Sequence, residues 1–206
     1  MTQVFTLELS AEDKEYLLCL ARKSVEKHLR KAASAGLSGQ SQEAAPAVEN
    51  REGLGEVLKK PLGAFVSLHE NGTLRGCIGR LSGDAPLYLT VSRMAIAAAF
   101  HDARFPPVSP EELGRLHYEI SVLGPITPCP DAEKIVIGRH GLIMKKGSRQ
   151  GLLLPQVPVA WHWNREEFLR HTCNKANLPL EQWKEAWKEG SDTELYWFEA
   201  VVFAED

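Results

Sequence analysis

Cysteine is scarce in this chain: four of 206 residues, at positions 19, 77, 129 and 173, with no Cys-x-x-Cys pair. That spacing excludes a disulfide framework and a zinc ribbon, and it makes a reducing cytosol the natural compartment. No apolar run approaches the roughly 18 residues that a membrane span requires. The start, MTQVFTLELSAEDKEYL, lacks the basic residues and apolar run of a secretory signal. Excess positive charge is also missing. Lys and Arg number 24 against 27 Asp and Glu, a net charge of −3, which argues against a protein built to coat nucleic acid. Metal-ligand spacing such as His-Glu-x-x-His is absent. His101, Asp102, His140, His162, His171 and Cys173 are scattered, so no protein-bound metal and no cofactor is expected.

What is present is ordinary globular composition, 44% hydrophobic and 25% charged. At about 150 residues per domain the length allows roughly one to one and a half domains. Ser10 and Asp13 have capping-box spacing before an apolar helical face of Leu17, Leu18, Leu20, Ala21, Val25 and Leu29, which predicts a helix ending near Ala33. Residues 34–52 are small, polar and aperiodic, and read as an exposed loop or connector. Asp84 and Pro86 mark the start of a second helix, running to about Phe100. Ser109-Pro110-Glu111-Glu112 predicts a capped short helix. Leu116 to Leu123 alternates as a strand. Ile135–Ile137, Gly141–Met144 and Gly151–Val157 read as further strands. Asn164 with Glu167 caps another helix, a helix follows from about Leu180 to Glu189, and Thr193 to Ala204 is a last strand. Helices interleaved with antiparallel hairpins give an α+β fold.

Gly63 to Leu81 reads as a hairpin around Asn71-Gly72. A three-residue connection, Asn71 to Thr73, sorts the faces: Val66, Leu68, Gly76 and Ile78 on one, Phe65, Ser67, His69, Arg75 and Cys77 on the other. His69 then lies across from Arg75, and Arg75 shares the face of Cys77.

Cys77 is the sharpest chemical candidate. Flanked by a guanidinium and an imidazole it is a plausible nucleophile; packed between glycines it is a small buried hydrophobe. Gly76 and Gly79 mark close approach of a ligand or tight packing of a helix. Asp102 and Arg104 precede a stiff Phe105-Pro106-Pro107 segment, and offer an anion fork or a structural bridge. Glu119, beside Ser121 and His117, is a general acid or base if buried and part of a solvated face if not. His140 before Gly141 is a base or a structural hydrogen-bond partner. Lys145, Lys146, Arg149 and Arg139 form a small basic patch.

The segment Leu74-Arg75-Gly76-Cys77-Ile78-Gly79 resembles the signature of the AmmeMemoRadiSam system protein A family. Its animal member is named for the candidate region of a syndrome of Alport nephritis, midface hypoplasia and elliptocytosis. The likeness continues in order through AFHDARFPPV, LHYEISVLGP, HGLI, RQGLLLPQV and FLRHTCNKANLP, covering roughly residues 5 to 205 without the loop at 34–52. Two positions depart from the pattern. Residues 158–163 lack the expected acidic residue, and Asn177 stands where the family has Gly. The resemblance implies two subdomains with a cleft between them, within one family-wide domain over 1–206. It also implies company: a Memo-type protein resembling non-haem-iron extradiol dioxygenases, and a radical SAM protein. It moves Glu119 and Ser121 toward the cleft.

The combined expectation is a cleft that takes a small anionic substrate or a modified residue. Cys77 is the nucleophile. His69, Glu119 or His140 transfers the proton. Arg75, Gly76, Gly79, Asp102, Arg104 and Ser121 hold the substrate. The alternative is a non-catalytic module that binds a ligand or a partner of the same system.

Overall fold

A computed structural model describes residues 7–34 and 55–205. The loop expected at 34–52 lies outside the described residues except for Ser34, which ends the first helix. The α+β expectation is borne out by helices combined with antiparallel strands. The chain divides into two compact units.

The first unit takes residues 8–123 and 201–205. Its long helix α1 spans Ala11–Ser34. The Ser10 hydroxyl accepts the Asp13 N–H at 3.0 Å and the Asp13 carboxylate accepts the Ser10 N–H at 3.1 Å, so Asp does the work of the usual Glu. A short helix α2 (Glu56–Lys59) leads to β1 (Leu62–Glu70) and β2 (Thr73–Ser82). Helix α3 (Leu87–Phe100) and β3 (Leu116–Leu123) complete the unit's main elements. β1 lies between β2 and β3, antiparallel to both. One face of these strands carries Ala64, Val66, Leu68, Tyr118, Ile120 and Val122, all fully buried. Against it pack α1, through Leu17, Ala21 and Val25, and α3, through Leu87, Val91, Ala95 and Ala98. Burying side chains of this size is worth about 1.5–3 kcal/mol each, and this layer fixes which residues the opposite face presents.

The hairpin differs from the expected three-residue connection. Asn71 and Gly72 both have positive φ, 51° and 77°, and form a two-residue turn closed by Glu70 opposite Thr73. His69 therefore faces Leu74, not Arg75. The register then shifts, leaving Arg75 as the extra residue of a bulge before Leu68 meets Gly76. Beyond the bulge the expected pairing holds, with Ser67 opposite Cys77 and Val66 opposite Ile78. The face pattern required one extra residue; the Asn-Gly turn chemistry kept it out of the turn and moved it to Arg75.

Two more boundaries differ. Asp84 does not cap α3. Pro86 precedes its first turn, while Asp84 pairs with Arg80 at 2.7 Å. After Pro110 the chain makes a turn and a 3-10 helix, Leu113–Arg115, although the Glu112 carboxylate still accepts the Ser109 N–H at 2.7 Å.

The second unit takes residues 7 and 124–200. Short β4 (Thr127–Pro128) and the hairpin β5 (His140–Lys146) and β6 (Arg149–Leu153) come first. Helices α4 (Gln156–Ala160) and α5 (Arg165–Lys175) follow, then β7 (Thr193–Ala204), whose last four residues belong to the first unit. β7 pairs with β4 and β5, and β5 with β6. Asn164 and Glu167 form the expected capping box of α5. The core holds Ile135, Leu142, Met144, Phe168, Leu169, Cys173 and Leu195. Ile135–Ile137 is not a strand; it follows a 3-10 helix, Ala132–Lys134, with Ile135 buried in the core, Ile137 packed against it and Val136 exposed. Gln156 and Val157 open α4 instead of ending a strand. The segment expected as a helix over 180–189 holds only a 3-10 helix, Gln182–Glu185, and the Trp183 and Trp187 rings meet edge-on at 6.4 Å.

No helix among the described residues is long and apolar enough to cross a membrane.

Candidate functional site

The face of the first unit's strands away from its helices carries a row across three strands: Cys77 on β2, Ser67 on β1 and Glu119 on β3. Strand alternation puts them there because their neighbours Val66, Leu68, Ile120 and Gly76 face the helices. The Ser67 hydroxyl donates to Cys77 Sγ at 3.2 Å. Such a contact strengthens as sulfur gains negative charge. Glu119 is half-buried, and its carboxylate takes no hydrogen bond or ion pair from the described residues. Ser121 is buried in the next row, opposite Phe65. His69 and His117 face one another in the row on the other side.

Cys77 sits on β2, which pairs with β1 alone within this unit. Its outward backbone groups meet the loop that follows α3. The Cys77 N–H donates to Asp102 Oδ2 at 2.9 Å, and Arg104 Nη2 donates to the Cys77 carbonyl at 3.3 Å. Asp102 and Arg104 are also paired with each other, Nε to Oδ1 at 2.9 Å and Nη2 to Oδ2 at 2.7 Å. The Arg104 guanidinium holds the Asp102 carboxyl well below the usual carboxylate range; burial opposes this, and the N–H groups of Cys77 and Arg104 add to it. In return Asp102 raises the Arg104 pKa.

Arg75 does not accompany Cys77. From its bulge it forks onto Glu112, Nε to Oε1 at 2.6 Å and Nη2 to Oε2 at 3.2 Å, with both side chains largely buried, 12% and 17% exposed. Arg75 pulls the Glu112 pKa down, against burial, with the Ser109 N–H helping. Arg75 Nη1 is buried and has no partner among the described residues. The loop from His101 to Glu112 is thus fastened to β2 at both ends, by Asp102 on Cys77 and by Glu112 on Arg75. The segments LRGCIG and HDARFPPV are one mechanical unit.

The two glycines are filled from within the chain. A Cβ on Gly76 would lie 2.2 Å from the Ala98 carbonyl oxygen, so the alanine-rich stretch of α3 requires a glycine there. A Cβ on Gly79 would lie 2.2 Å from the ring of Phe65, its cross-strand partner.

His140 lies in the second unit. Its Nδ1 accepts the Val136 N–H at 3.0 Å and its ring packs on Trp197 at 4.3 Å. Burial lowers its pKa, Arg139 adds to the fall and Glu199 opposes it. His140 thus makes a hydrogen bond of the structural kind stated above as an alternative.

Of the expected residues, the first unit brings together Cys77, Glu119 and Ser121 on one face, with His69 one row away and Asp102 and Arg104 at the strand edge. Arg75 is held apart by Glu112. Ser67 and Glu112 were not singled out from sequence. Ser67 was recoverable from register, as the residue opposite Cys77; Glu112 was hidden because its carboxylate fitted a capping role. The four cysteines are free, with Cys19 exposed and Cys129 and Cys173 buried. Among the described residues no three His, Cys, Asp or Glu side chains converge as a metal site.

A thiol-bearing sheet face braced by an Asp–Arg loop therefore defines this α+β protein. The AMMECR1 family model matches residues 18–203, and the chain belongs to the AMMECR1 family. A protein of Thermococcus gammatolerans is 42% identical over 202 residues, covering 93% of this chain and 90% of that one. Protein MK0488 of Methanopyrus kandleri is 40% identical, covering 97% and 91%. The crystal structure of uncharacterized protein PH0010 from Pyrococcus horikoshii superimposes with a TM-score of 0.79 at 38% identity, over 97% of this chain and 95% of that one.

Proposed function

We propose that Cys77 is the nucleophile of a site for a small anionic substrate or a modified residue. The protein would serve in the cytoplasm beside Memo-type and radical SAM partners, the company that the family resemblance implies. The observation that carries this reading is the Cys77–Ser67–Glu119 row: a thiol contacted by a hydroxyl at 3.2 Å, ending on a carboxylate with no partner among the described residues. Arg104, with its side chain 58% exposed, supplies positive charge at the Cys77 edge. These parts suit displacement at an electrophilic carbon. Glu119 takes up the thiol proton as the S–C bond forms, while the Ser67 hydroxyl donates to the sulfur. The bond from that carbon to its leaving group breaks, and the leaving group departs with the proton. Water then attacks the carbon, the S–C bond breaks, and one water proton restores the thiol.

The site is tested by alkylating the folded protein with iodoacetate and with iodoacetamide, reading Cys77 by peptide mass spectrometry. Relative to the chain in urea, the folded protein should favour the carboxylate reagent at Cys77, and Arg104→Ala should remove that preference. A Cys77 that stays unlabelled until the protein unfolds contradicts the reading.

The non-catalytic alternative draws on Gly76 and Asp102, whose contacts account for much of the LRGCIG motif by packing alone. Co-purification with a Memo-type partner, undiminished in Cys77→Ser, favours it.

A further inference from the structure

We propose that Asp102 is the positioning residue of the Cys77 site, fixing the Cys77 backbone and the Arg104 guanidinium together and so setting the preference of the thiol for anionic substrates. This rests on the reading of Cys77 as a nucleophile beside an anion-holding Arg104.

The starting point is the edge of a sheet. Within its unit β2 pairs only with β1, so the N–H and C=O of Cys77 face outward. In a wider sheet the next strand would supply one acceptor and one donor. Here two side chains of one loop supply them: Asp102 Oδ2 accepts the Cys77 N–H at 2.9 Å, and Arg104 Nη2 donates to the Cys77 carbonyl at 3.3 Å. The Asp–Arg pair stands in for a strand at the one residue that carries the thiol.

The carboxylate of Asp102 has no capacity left for a substrate. Its side chain is 4% exposed, and its oxygens accept from the Cys77 N–H, the Arg104 N–H at 3.1 Å, and Arg104 Nε and Nη2. The expectation that Asp102 touches the substrate is replaced by this indirect role. Arg104 is the opposite case. Its Nε and Nη2 are held by Asp102, its Nη1 has no partner among the described residues, and the group lies 5.4 Å from the Phe105 ring centroid. An exposed arginine ordinarily samples many rotamers. Two parallel bonds to a buried carboxylate orient this one, with Nη2 on the Cys77 carbonyl.

The test uses the full chain, the two haloacetyl reagents and three variants. Asp102→Asn keeps an oxygen for the Cys77 N–H and removes only the charge that orients Arg104. It should lower the iodoacetate preference at Cys77 about fivefold with Arg104 still present, the size of an exposed ion-pair contribution. Asp102→Asn combined with Arg104→Ala should be no lower than Arg104→Ala alone. Asp102→Glu keeps the charge but displaces the guanidinium, and should also lower the preference; it serves if the Asn variant does not fold. A melting curve for each variant separates stability from selectivity. If the Asp102 variants melt lower but keep the wild-type preference while Arg104→Ala loses it, Asp102 is structural only and the proposal fails with the nucleophile reading intact. If the wild-type protein shows no preference, both fail together.

Discussion

Gly76→Ala is the substitution whose consequence follows most directly from the structure. The added methyl carbon would stand 2.2 Å from the Ala98 carbonyl oxygen, more than an ångström inside ordinary contact, and 3.2 Å from the Ala98 carbonyl carbon. The obstacle is helix backbone, so no rotamer change relieves it. α3 would have to move off β2, disturbing the layer of Leu87, Val91, Ala95 and Ala98. Overpacking of this kind costs about 1–3 kcal/mol where side chains can adjust, and the upper end applies to backbone. For a chain of this length about 3 kcal/mol corresponds to a melting temperature lower by roughly 6–12 °C. Gly114→Ala is the control, since a Cβ there meets nothing within 4 Å. Differential scanning calorimetry of both variants decides the matter. A Gly76→Ala protein melting within about 2 °C of wild type would refute the packing argument. It would instead indicate that the glycine keeps space for a ligand.

Two further outcomes follow from the Arg75–Glu112 pair and from the burial of two histidines. Arg75→Ala and Glu112→Ala should each cost about 2–4 kcal/mol in urea denaturation, and the double variant little more than either alone, because each single change strands a largely buried charge. Stability should also fall between pH 7 and pH 5. Burial lowers the pKa of His140 and of His28, which also feels His101 and Lys31. The unfolded chain therefore binds more protons in that range. The stability of the neutral forms is complete above the unfolded value of about 6.5 and is lost as pH falls through the lowered folded values. His140→Asn should flatten the melting temperature against pH; an unchanged slope would contradict the assignment of His140.

The sequence was most informative where one face of an element is buried. α1, β3 and β7 were legible from periodicity, because apolar residues recur at the period of the element. The strand face carrying Phe65, Ser67 and Cys77 was legible too, since a slip of one residue would have exchanged Val66 and Leu68 for polar groups. Where packing and turn chemistry compete, pattern failed. The bulge at Arg75 arose from the Asn71-Gly72 turn, which holds two residues and no more. Ile135–Ile137 was apolar and short, and Ile135 and Ile137 reach the core without forming a strand. The 180–189 segment has helical spacing of tryptophans, yet those rings serve other contacts: Trp187 Nε1 donates to the Cys129 carbonyl at 2.9 Å. In the site, the Asp102–Arg104 bridge was readable from its loop. Its hold on the Cys77 backbone was not, because no pattern marks a side chain bonded to a strand edge 25 residues away.

Native-state alkylation reads whether Cys77 is a reactive thiol on the sheet face away from the helices. Cys19 is exposed on α1 and serves as the internal reference. With iodoacetamide at neutral pH, Cys77, although less exposed, should label faster than Cys19, and Glu119→Gln should slow Cys77 without changing Cys19. Labelling of Cys77 only at the rate of global unfolding, with Cys19 reacting freely, would contradict it.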